Sequence, residues 1–241
     1  MKNSIYLLVA LLFISIKPLL AQPVPGALDI TFGNSGKVTG TFDNVNANNS
    51  LGYATALQSD GKIIIAGQVL FSASNHLCGI ARYNANGSID ATFGNGGSVS
   101  TDVNTKHYSE LKAVAIQADG KIVAAGNTSN LLGTNLDFAI VRYKSNGNLD
   151  STFGTKGVVT LDFGNSDDYA RAVAIQADGK IIVGGDAKVS GNVDFAAARL
   201  NTNGTLDNGF GLNGKINIDF ESNYDQADAM LLQPDGKIVL G

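Results

Sequence analysis

The chain has no tryptophan, one cysteine (Cys78), two histidines (His76 and His107) and four prolines among 241 residues. One cysteine excludes a disulfide-stapled fold. One cysteine and two scattered histidines also fall short of the three or four ligands of a zinc centre. Without tryptophan, and with aromatics at 7%, a sugar-binding platform of stacked rings has little material. Charged residues make up 16%, against roughly 25% in ordinary soluble domains. The net charge of −4 supplies no basic footprint for nucleic acid or anionic lipid. Glutamate occurs only at Glu110 and Glu221, and no spacing selects the paired carboxyls of a glycosidase. The Phe-Gly-x-x-Gly elements lack the Lys-Ser/Thr of a phosphate loop, and no Gly-x-Ser-x-Gly elbow is present.

Glycine, by contrast, is abundant at 29 residues, and apolar residues reach 44%. That mixture suits short strands joined by tight turns around a real core. At the N-terminus a basic start (Lys2), an apolar run from Ile5 to Ile16 and the sequence Leu20-Ala21-Gln22 predict a signal peptide over 1–21. The run is too short to span a bilayer. The expected product is secreted or cell-surface, with no membrane span after signal removal.

The remainder is one unit written almost four times. Asp-Gly-Lys recurs at Asp60, Asp119, Asp178 and Asp235, and Phe-Gly-x-x-Gly at Phe32, Phe93, Phe153 and Phe210. An arginine inside an apolar stretch recurs at Arg82, Arg142 and Arg199, and an aspartate before Phe-Gly at Asp29, Asp90, Asp150 and Asp207. The shared period is about 59 residues. It divides 22–241 into repeats 28–88, 89–148 and 149–205 and a partial repeat 206–241.

Within a unit the signals are those of strands. Gly157–Leu161 is short and β-prone, and Ala170–Gln176 leads into Asp178-Gly179, a dipeptide suited to a tight hairpin. Lys180–Gly185 returns, and a fourth strand like Phe138–Tyr143 completes the set. A four-stranded unit buries its two apolar faces only by stacking on copies of itself. The predicted fold is all-β, a β-propeller-like array of four-stranded antiparallel blades, with the last blade incomplete. A linear solenoid and a two-sheet sandwich are the alternatives.

Leu149-Asp150-Ser151-Thr152-Phe153-Gly154, Gly157, Gln176-Ala177-Asp178-Gly179-Lys180 and Asp194-Phe195 ahead of Arg199 together resemble the bacterial delta-60 repeat family. The resemblance runs over essentially everything after Pro25. It implies an exported surface or secreted repeat protein with a propeller-like fold, and it transfers no catalytic residues. The first copy departs from it at Leu77-Cys78, and the fourth at Asn208-Gly209.

The repeated residues are expected to be structural. The aspartates before Phe-Gly cap turns through nearby backbone amides. The arginines need carboxylate partners, for which those aspartates are the candidates. Lys62, Lys121, Lys180 and Lys237 are expected to be solvated, and Cys78 to be a packing thiol. No metal or cofactor is expected. The Asp/Asn-rich segments Asp43–Ser50 and Asn165–Asp168 read as solvated loops rather than calcium loops. Function is expected in the connections Asp43–Ser50, Gln68–His76, Asp102–Ser109, Asn127–Asn135, Asp186–Asn192 and Glu221–Asp225, where the units differ. The expectation is a non-enzymatic scaffold that binds an extracellular protein or polysaccharide. The alternative is an extracellular hydrolase or lyase with a site on one face, for which His107, Tyr108 and Glu110 form the one local grouping.

Overall fold

A computed structural model describes residues 26–40, 49–72, 75–103, 108–129, 135–164, 166–220 and 224–241. The segment read as a signal peptide, His107 and most of Asp43–Ser50 lie outside the described residues. Blade I consists of β1 (Asn49–Leu57), β2 (Ile63–Ser72), β3 (Asn75–Tyr83) and β4 (Ser98–Thr101). Blade II consists of β5 (Tyr108–Ile116), β6 (Ile122–Ser129), β7 (Asp137–Tyr143) and β8 (Val158–Leu161). Blade III consists of β9 (Asp168–Ile175), β10 (Ile181–Val189), β11 (Asn192–Leu200) and β12 (Lys215–Ile218), and a hairpin of β13 (Met230–Leu232) and β14 (Ile238–Leu240) follows. Within each blade the strands pair antiparallel in chain order.

Local chemistry accounts for the hairpins. Gly61, Gly120, Gly179 and Gly236 sit at φ between +81° and +85°, which only glycine adopts without strain. The preceding aspartate accepts the amide of the following lysine, as in Lys62 N to Asp60 Oδ1 at 3.1 Å and Lys180 N to Asp178 Oδ1 at 3.1 Å. The first strand of each blade carries a bulge opposite a glycine of the second, with pairing shifts at Gly52/Ala54, Leu111/Ala113 and Gly184/Gly185. A Cβ on Gly67, Gly126 or Gly185 would lie 1.8–2.0 Å from the carbonyl oxygen of Leu51, Glu110 or Tyr169. The bulge therefore requires glycine at a period of 59.

The blades bury their faces on one another. Ile64, Ala66, Cys78 and Ile80 of blade I meet Ile122, Ala124, Val141 and Tyr143 of blade II, with Phe93 in the seam. Val123, Ala125, Phe138 and Ile140 meet Ile181, Val183, Ala198 and Leu200 of blade III, with Phe153 in the seam. Both phenylalanines are fully buried, a gain of about 1.5–3 kcal/mol each by area. The first face of blade I carries Ile63, Ile65, Ala81 and Tyr83 beside Val38, at a cavity of about 430 Å³ that Phe32 also lines.

Two features depart from the sequence reading. The short strand after each Phe-Gly turn closes the preceding sheet: β4 pairs with β3, β8 with β7 and β12 with β11. The sheets are therefore one strand out of frame with repeats 28–88, 89–148 and 149–205, because the turn folds the chain back onto the strand it has just left. Second, much of Gln68–His76 and Asp186–Asn192 is strand, with β2 running to Ser72 and β10 to Val189. Gln68 and Asp186, the first residues of those two connections, are buried side chains with hydrogen-bond partners.

Candidate functional site

Alternating strand directions give the array two ends. One carries the Asp-Gly hairpins and the Phe-Gly turns, the same in every blade. There Arg142 Nε donates to Asp150 Oδ2 at 2.9 Å, its Nη1 reaches the Thr202 carbonyl, and its guanidinium lies 4.5 Å from the Phe153 ring centre. Arg82 repeats this with Asp90 at 2.8 Å, the Ser145 carbonyl at 2.6 Å and Phe93 at 4.6 Å. Arg199 does so with Asp207 at 2.7 Å and Phe210 at 4.8 Å. The second carboxylate oxygen caps the turn, accepting from Thr92, Thr152 or the Gly209 amide. Asp29 makes the same cap with Thr31 at 2.9 Å. The Gly94 amide donates to the Asn146 carbonyl and the Gly154 amide to the Asn203 carbonyl, at 2.9 and 2.8 Å, so these two turns are also bonded to the next blade.

These groups hold charge well. Burial works to raise the Asp150 carboxyl, but Thr152 and Arg142 outweigh it and keep it below the usual range. The Lys180 ammonium, the Gly209 amide and Arg199 hold Asp207 at about 2. Lys62 and Lys180 are not simply solvated, since they reach Asp90 at 2.9 Å and Asp207 at 3.0 Å. Lys121 instead pairs with Asp119 and Lys237 with Asp235. The turn pattern of the sequence could not distinguish these two fates, because Asp-Gly-Lys is identical in all four.

The other end differs from blade to blade. There Ser190-Gly191 makes a two-residue hairpin at φ of 53° and 94°, whereas 130–136 joins β6 to β7 with a longer segment. Midway along the first strands, at the bulges, Tyr53, Lys112 and Arg171 occupy one equivalent position with three different side chains. Lys112 Nζ lies 3.5 Å from the Tyr53 ring centre and 2.8 Å from Glu110, and Arg171 Nε lies 2.6 Å from Asp186. Glu110 is buried and also accepts from Asn127 at 3.1 Å. The Tyr108 ring packs against His76, tilted by 44° with ring centres 5.2 Å apart, and burial raises the pKa of its hydroxyl. Cys78 is fully buried, its thiol pushed up to about 12 by that burial. Sequence reasoning missed two trios at this end: Asp137, Asp162 and Asp168, and Asp194, Asp219 and Asp225. The second trio lies 57 residues after the first with the same spacing, so both belong to the repeat, but their members are far apart in the chain and only the fold brings them together.

Antiparallel four-stranded sheets stacked face to face, each latched to the next by arginine, make this a β-propeller-like repeat protein. Three stretches, 58–93, 117–153 and 176–210, match the model of a domain of unknown function, DUF5122, described as a β-propeller. Each runs from an Asp-Gly hairpin through the second and third strands to the phenylalanine under the arginine. No curated protein matches the chain. Among the described residues no helix is long and apolar enough to cross a membrane.

Proposed function

We infer that the chain is an exported, non-enzymatic binding scaffold of the delta-60 repeat kind, presenting one variable end to an extracellular protein or polysaccharide. The observation that carries this is the division of labour between the two ends. At the repeated end, arginine, aspartate and phenylalanine are engaged in holding turns and neighbouring blades. At equivalent bulge positions the frame stays fixed while the side chain changes from Tyr53 to Lys112 to Arg171. A rigid frame carrying changing side chains is how loops and bulges on a scaffold acquire binding roles.

The test replaces residues 130–135 with the Ser190-Gly191 turn and, separately, Tyr53, Lys112 and Arg171 with alanine. The expected outcome is unchanged β-sheet circular dichroism with loss of binding on arrays of extracellular glycans and matrix proteins. Variants that keep every interaction of the parent chain defeat the reading. An enzymatic role at Tyr108 and Glu110 would instead show as a hydrolytic or eliminating activity abolished by Glu110→Gln.

A further inference from the structure

We propose that Asp137, Asp162 and Asp168 form a calcium site that ties blade II to blade III at the variable end. Asp137 opens β7, Asp162 follows β8 and Asp168 opens β9. One oxygen from each lies within 4.8 Å of the others, a span that a cation about 2.4 Å from each can bridge. The donors are all carboxylate oxygens, which suit a hard cation rather than zinc or copper.

The independent observation is Asp168 itself. It has no exposed surface, and Oδ1 has no hydrogen-bond partner. Its other oxygen accepts the Phe163 amide at 2.6 Å, and the Lys188 amide beside it donates to the Asp167 carbonyl. A buried carboxylate oxygen left unpartnered is destabilising in general, and a bound cation removes that cost. Asp162 and Asp137 bring two further carboxylates up to the buried Asp168. The Lys215 ammonium bonds the Asp162 carbonyl at 2.5 Å and supplies one positive charge to the trio.

The trio Asp194, Asp219 and Asp225 serves as an internal control. Both Asp194 oxygens are taken, by Asn192 at 3.0 Å and Asn217 at 2.7 Å, and Asp225 accepts the Phe220 amide at 2.7 Å.

The experiment titrates CaCl2, with MgCl2 in parallel, into the chelator-treated full chain by calorimetry, and follows thermal unfolding. The expected result is one saturable calcium site with Kd of about 10⁻⁴–10⁻³ M, the range of extracellular modules. At 5 mM calcium and a Kd of about 0.5 mM, the folding equilibrium shifts by about tenfold. Asp162 is exposed, so Asp162→Asn should fold normally and weaken calcium by at least about tenfold. Asp137→Asn should do the same, Asp225→Asn should bind as the parent does, and Lys215→Met should bind more tightly. No saturable binding up to 10 mM, equal affinity for magnesium, or full affinity in Asp162→Asn overturns the proposal.

Discussion

Removing Arg142 tests the latch at its most isolated point. The guanidinium and its partner Asp150 are almost fully buried, at 5% and 1% exposed. Arg142→Ala leaves the Asp150 carboxylate with only Thr152 as donor, strips the Thr202 carbonyl of its donor and uncovers one face of Phe153. Breaking one partner out of a buried pair costs about 3–5 kcal/mol in general. Arg82→Ala should cost less, about 2–3 kcal/mol, because Lys62 remains on Asp90. Arg199→Ala should cost least, since that pair is more open and Lys180 stays on Asp207. The assay is urea unfolding followed by circular dichroism, comparing midpoints at constant slope. Equal losses from all three variants, or less than about 1 kcal/mol from Arg142→Ala, would refute the argument that burial and the lysine decide the order.

Other perturbations follow from the same geometry. Gly126→Ala puts a Cβ 2.0 Å from the Glu110 carbonyl and should cost more than about 3 kcal/mol, while Gly191→Ala, whose Cβ would meet nothing within 4 Å, should keep the fold with a smaller loss; thermal melts distinguish them. Asp150 and Asp207 have folded-state carboxyls below the ordinary value, so their stabilisation is present above about pH 4 and lost as pH falls through the folded values. Stability against pH should therefore drop on the acid side, and Asp150→Asn should flatten that limb; an unaltered limb counts against the pair. Cys78, buried and with its thiol at about 12, should resist a thiol reagent at pH 8 in native buffer and react fully in denaturant. Rapid native labelling would mean that the seam between blades I and II opens.

What the sequence made legible was whatever repeats in register. Asp-Gly marked the hairpins, Phe-Gly the turns, and the arginine eight residues before each aspartate marked a pair, because only the end of a strand and one tight turn lie between them. The stacking of Arg142 on Phe153 was not visible, since neither residue type announces the contact. Nor was the frame of the sheets, because period fixes the length of a unit but not which strand begins it. Gly67, Gly126 and Gly185 were regular in spacing, yet only the bulge opposite them shows why a side chain there is impossible. The trio at Asp137, Asp162 and Asp168 escaped although it recurs 57 residues on: its separations of 25 and 6 residues belong to a seam between sheets, and a search for calcium loops looks within one connection.

The offset between repeat and sheet bears on where the chain can be divided. A fragment ended at Asn148, at a boundary of the written unit, would strand β7 without β8 and leave Arg142 without Asp150 or Thr202. One ended after Leu161 keeps the sheet whole and the arginine paired, lacking only the carbonyl from blade III. The units 89–148 and 149–205 thus begin as the hem of one sheet and end as the body of the next. Whoever shortens, lengthens or recombines such chains should cut in the segments between short and long strands, where Asp102 and Asp162 stand.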